Sequence, residues 1–97
     1  MRFSLSVEAE EDIIALTEQG IRMFGTLQAR RYHDDLFAIL ELIAANPRMA
    51  REREEITPPV RIYPFKAHLI VYRIEVDETI LVIRIRHGHE DWVSEPA

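Results

Sequence analysis

The feature that most limits the fold is a succession of three apolar segments, Val60 to Phe65, His68 to Val76 and Thr79 to His87, separated only by Lys66-Ala67 and Asp77-Glu78. Links of two residues are too short for a crossover, so the three strands they join must run antiparallel as a meander. In the middle segment His68, Ile70, Tyr72 and Ile74 alternate with Leu69, Val71, Arg73 and Glu75. In the last, Leu81, Ile83 and Ile85 alternate with Ile80, Val82, Arg84 and Arg86. Both faces are therefore partly apolar. One is expected to pack on the first half of the chain. The other, carrying Leu69, Val71, Arg73, Ile80, Val82, Arg84 and Arg86, is a candidate binding surface.

The first half supplies the packing partner. Phe3, Leu5 and Val7 alternate with Arg2, Ser4 and Ser6, the period of a short half-buried strand. Ser6 then stands before Glu8, Glu10 and Glu11, a helix start with a hydroxyl cap and negative charge at the positive end of the dipole. Ile13, Leu16, Gly20 and Phe24 mark the inward stripe of this first helix, and Gly25 its end. Thr26 is expected to cap a second helix from Leu27, with Ala29, Tyr32, Leu36, Ile39, Leu40 and Ile43 facing inward until Asn46-Pro47 stops it. Phe37, Ala38, Leu42 and Ala45 widen that stripe beyond what one sheet buries, which makes Phe37 and Leu42 candidate partner contacts. Arg48 to Pro59 is charged, contains Pro58-Pro59, and reads as an exposed connection with at most a helical turn at Glu52 to Glu55. The order β-α-α-β-β-β predicts an α+β fold, a helical hairpin packed on one face of a mostly antiparallel sheet.

Composition narrows the function classes. Ninety-seven residues, 47% hydrophobic and 30% charged, suit one domain over residues 1–97. The absence of cysteine removes disulfides and thiolate metal sites and fits a cytoplasmic setting. No segment has the roughly 18 apolar residues of a membrane span, and the N-terminus has no signal-type apolar region. A formal net charge of −5 repels phosphate, so direct nucleic-acid binding is not expected.

Several strings, taken in order, carry a resemblance. Asn46-Pro47-Arg48-Met49-Ala50-Arg51 closes the second helix. Arg61 with Tyr63-Pro64-Phe65 follows, then His68-Leu69-Ile70-Val71-Tyr72-Arg73. The most specific is Ile83-Arg84-Ile85-Arg86-His87-Gly88-His89-Glu90-Asp91-Trp92. Together with Ser6-Val7-Glu8-Ala9-Glu10 near the start, they are similar to the ParE branch of the RelE/ParE toxin superfamily over nearly the whole chain. The resemblance implies a type II toxin held inactive by a ParD-like antitoxin in a hetero-oligomer, with DNA gyrase as target and no cofactor. By family analogy toxicity lies in Arg84, Arg86, His87, Asp91 and Trp92, while the antitoxin covers Phe37, Leu42, Leu69, Val71, Arg73, Ile80 and Val82.

The RelE branch of the same superfamily cleaves messenger RNA on the ribosome, which requires an acid–base pair and cations around a phosphate. Arg61, His68, Arg73, Arg84, Arg86 and His87 are the groups available. The place before the middle-strand Tyr at which such ribonucleases carry a catalytic Arg is taken by Leu69, and Lys66 is the single lysine. His87, followed by Gly88, is read as a residue that caps a turn rather than a general acid. No residue is assigned to catalysis. His33, His68, His87 and His89 invite a metal reading, but no further ligand stands at fixed spacing from His87 and His89, so no metal is assigned. A degenerate member that only binds its antitoxin is the third reading.

Overall fold

The computed structural model describes residues 3–88. Its meander consists of β3 (Val60–Phe65), β4 (His68–Ile74) and β5 (Ile80–His87), antiparallel throughout, with Phe65 opposite His68 at one end and Ile74 opposite Ile80 at the other. The first turn is as short as expected, with Lys66 in the left-handed region at φ 54°. The second is wider, because β4 stops at Ile74 and β5 starts at Ile80. Asp77 accepts from the Thr79 backbone N–H at 3.1 Å and from its hydroxyl at 2.6 Å, while the Glu75 N–H donates to the Thr79 carbonyl at 2.7 Å. A side chain that bonds to the backbone two residues on favours a turn over continued ladder.

β1 (Phe3–Leu5) lies along the outer edge of β5 in parallel, Phe3 opposite Ile80 and Leu5 opposite Val82. At the far edge, β2 (Glu52–Arg53) pairs antiparallel with β3, Glu52 opposite Arg61 and Arg53 opposite Val60, which gives the order β1-β5-β4-β3-β2. The helical turn expected at Glu52 to Glu55 is replaced by this strand. The edge of β3 offers unpaired backbone groups, and the Arg61 guanidinium draws the segment in by donating to the Ala50 carbonyl at 2.6 Å.

Two helices cover one face of the sheet. α1 (Val7–Phe24) starts where Ser6 Oγ accepts from the Ala9 N–H at 3.0 Å and donates to the Ile83 carbonyl at 2.7 Å, so the cap also fastens the helix to β5. α2 (Thr26–Ala45) follows after Gly25 alone, which ends one helix and begins the next at φ 89°, ψ 166°. Thr26 is therefore the first residue of α2 rather than its cap, and no side chain caps this end. Asn46 closes α2 through its backbone and side-chain amides on the Leu42 carbonyl, and Pro47–Met49 continue as one 3-10 turn.

The core between helices and sheet is built from Ala9, Ile13, Leu36, Leu40, Ile43, Ile70, Tyr72, Ile80, Val82 and Ile85. Ile80 and Val82 are fully buried in it, which corrects their expected place on the opposite, arginine-bearing face. The cause is a bulge. Tyr72 pairs with Val82 but Val71 pairs with Arg84, so Ile83 is extra and the alternation of β5 slips by one residue. Ile80, Val82 and Ile85 thereby all point at the helices. The opposite face is not bare either: Val60, Ile62 and Val71 form a second cluster with Ile56, Leu69 and Ile83. Val71, expected at a partner surface, is only 1% exposed there.

Candidate protein-binding site

The helical hairpin and the β3–β4 turn enclose an open, mainly apolar groove of about 410 Å³. Leu16, Met23 and Phe24 from α1, Ala29 and Tyr32 from α2, and His68 and His87 from the sheet are among its walls. Beside it the hairpin tip carries a ridge of Met23, Phe24 and Leu27, 61%, 66% and 66% exposed, continued by Ile21. Exposed apolar groups concentrated on one ridge mark a surface adapted to association. Phe24, expected on the inward stripe of α1, stands on this ridge instead. Ile21, Met23, Phe24 and Leu27 surround Gly25 at positions that no single helical stripe can bury, and that excess was the available signal.

The groove has a polar end. Tyr32 Oη and His68 Nδ1 are hydrogen-bonded at 2.7 Å, and the His68 ring meets the His87 ring edge to face at 5.5 Å. Lys66 Nζ lies 5.2 Å from the centre of the Tyr32 ring and bonds Asp35 at 2.8 Å. Burial pushes the Tyr32 phenol above its ordinary pKa, against the smaller opposing effects of a backbone hydrogen bond at Ala67 and the Lys66 charge. Thr17 Oγ1 is buried at the groove wall with no hydrogen-bond partner among the described residues.

A second cleft, of about 370 Å³, collects Arg48, Arg61 and Arg73 at the other end of the sheet. Two of these arginines are paired with carboxylates and Arg61 bonds the Ala50 carbonyl. Arg48 holds Glu78 through two hydrogen bonds of 3.0 and 3.3 Å, which lowers the Glu78 pKa, and Arg73 Nε bonds Glu75 at 2.8 Å. These exposed pairs contribute little to stability.

The expected site residues are dispersed. Phe37 is half-buried and stacks on His33 at 4.7 Å, Leu42 is exposed on α2, and Leu69 and Arg73 lie on the sheet face away from the helices. Arg84 is part of the frame. Its Nε and Nη2 donate to the two oxygens of Asp12 at 2.8 and 3.0 Å, and the Ile85 N–H donates to the same carboxylate at 2.9 Å. Arg86 is half-buried and His87 exposed at the groove, while Asp91 and Trp92 lie outside the described residues.

Residues 3–92 match the family described as "ParE toxin of type II toxin-antitoxin system, parDE". The chain belongs to the ParE toxin family. It is 31% identical over 90 residues to Toxin ParE1 of Mycobacterium tuberculosis, covering 93% of this chain and 92% of the relative. Toxin ParE1 of Caulobacter vibrioides is 28% identical over 85 residues, covering 88% and 86%. A solved structure of the chromosomal ParDE toxin–antitoxin system from P. aeruginosa shares the fold, with a TM-score of 0.75 at 20% identity over 90% of this chain and 95% of that one. The ParE-like architecture expected from the strings is thus present, in a ParE-type toxin of a type II toxin–antitoxin system. Among the described residues no helix is long and apolar enough to cross a membrane.

Proposed function

We propose that this toxin acts by binding DNA gyrase without catalysing a reaction itself, and that a ParD-like antitoxin neutralises it by covering the ridge and groove of the helical hairpin. The observation that carries the antitoxin part is the ridge of Met23, Phe24 and Leu27 beside an apolar groove, since so much exposed apolar surface is costly in a lone monomer. An amphipathic helix laid in the groove would bury it, with Phe37 and Leu42 on α2 as further contacts and Leu69 and Arg73, on the far face of the sheet, as a separate one. Gyrase is the target reading supported by family membership, with Arg84, Arg86 and His87, followed by Asp91 and Trp92, as contacts. Arg84 acts there chiefly by holding the β5 edge through Asp12.

Purified toxin added to gyrase in a supercoiling assay is expected to inhibit, and Arg86→Ala or Trp92→Ala to relieve the inhibition. Primer extension after induction tests the rival chemistry: defined cuts within codons, with supercoiling intact, would replace this reading by a ribonuclease. Phe24→Asp with Leu27→Asp should weaken antitoxin binding at least tenfold while leaving inhibition in place.

A further inference from the structure

The polar end of the groove holds a pair of imidazoles that the linear sequence does not place together. His68 and His87 stand directly opposite each other across β4 and β5, so their side chains leave the sheet on the same face. Their ring centres are 5.5 Å apart. With metal–nitrogen bonds of about 2.0–2.1 Å, two imidazoles on one tetrahedral ion have ring centres roughly 5 Å apart, a spacing the pair matches once the exposed His87 ring turns out of its edge-to-face contact to aim a nitrogen at the ion. His68 is held from behind: Tyr32 Oη meets its Nδ1 at 2.7 Å, while Phe65 packs edge-on against the Tyr32 ring at 5.3 Å and fixes that phenol in turn.

We infer that His68 and His87 form a two-histidine site for a first-row transition-metal ion such as Zn²⁺ or Ni²⁺, with Tyr32 orienting the His68 ring. Imidazole nitrogen suits these ions, and a histidine ligand usually has its second ring nitrogen engaged by a hydrogen bond, the place Tyr32 fills. Binding through His68 Nε2 requires the proton on Nδ1, where the two lone pairs of Tyr32 Oη can accept it. Tyr32 Oη engages Nδ1, the ring nitrogen turned away from the ion, so Tyr32 positions the ligand and is not one itself. The described residues contain no group of three or more metal-ligating side chains. The ion would therefore retain water at its remaining positions and be exchangeable rather than structural. Because it would bridge β4 and β5 at the mouth of the groove, it would also tie the sheet end to α2 through Tyr32.

Isothermal titration of the full chain with ZnCl₂, and separately with NiCl₂, tests the site. We expect one ion per chain with a micromolar Kd, at least a tenfold loss in His68→Ala and in His87→Ala, and no change in His33→Ala. Tyr32→Phe should weaken binding by about tenfold at unchanged stoichiometry, the size of effect seen when the hydrogen-bond partner of a ligating histidine is removed. Zn²⁺ should raise the thermal midpoint of the wild-type chain but not that of His87→Ala, whose exposed side chain can be removed without disturbing the core. Absence of binding up to millimolar metal overturns the inference. So does retention of full affinity in His87→Ala, or dependence on His33 or His89 with His68→Ala silent.

Discussion

Asp12 accepts three hydrogen bonds, two from Arg84 and one from the Ile85 N–H, at the point where β1 has ended and the edge of β5 would otherwise be open. Its side chain thus continues the ladder that Ser6 begins by donating to the Ile83 carbonyl. Asp12→Ala should destabilise the isolated protein by about 2 kcal/mol, because charge-assisted bonds are lost and a backbone donor is left without its partner. Urea denaturation reads the effect, and an equal loss in Arg84→Ala would mark that arginine as structural before any partner binds. Thr17 is the opposite case. Its buried hydroxyl has no partner among the described residues, so Thr17→Val keeps the shape, removes the desolvated oxygen, and should raise stability by about 1 kcal/mol in the same measurement.

At the scale of elements, the helical hairpin turns on one residue. Gly25 sits at φ 89°, ψ 166°, a region essentially reserved for glycine. A Cβ there would meet nothing within 4 Å. Gly25→Ala should therefore cost about 1–3 kcal/mol through backbone strain alone, with the groove geometry otherwise unchanged, as thermal denaturation with circular dichroism would record. The positions of α1, α2, β1 and β3 were legible because periodicity and caps are local properties of the chain. β2 was not, since a two-residue strand within a charged run forms only because β3 presents an edge to it. Nor was the bulge at Ile83, which leaves no mark in the order of apolar and charged residues along β5 and arises only in its pairing with β4.

For the whole molecule, the buried phenols predict a response to alkali. Tyr72 is fully buried with its hydroxyl donating to the Pro47 carbonyl at 2.7 Å. Burial raises its pKa, and that of Tyr32, above the ordinary value. The folded state therefore keeps these protons where the unfolded chain loses them. The contribution to stability is complete below the unfolded pKa, about 10, and falls as pH rises through the higher folded values. Urea midpoints should be flat with respect to these groups up to about pH 9 and decline above about pH 10. Tyr72→Phe should lessen the decline while costing about 1 kcal/mol at neutral pH for the lost hydrogen bond.

The sequence by itself determined the two helices, β1 and the meander, their order, most of the helical face that meets the sheet and the family, because hydrophobic period, capping residues and turn chemistry act over a few positions and are written in the chain. Only the tertiary structure decided which apolar residues would be left outside. Phe24 was expected inside, yet it stands on the exposed ridge, while Ile80 and Val82 were expected at a partner surface and are fully buried. It likewise placed His68 opposite His87 and turned Arg84 onto Asp12. Each of these outcomes depends on strand register and on how the hairpin lies over the sheet, and those are set by packing between segments far apart in sequence.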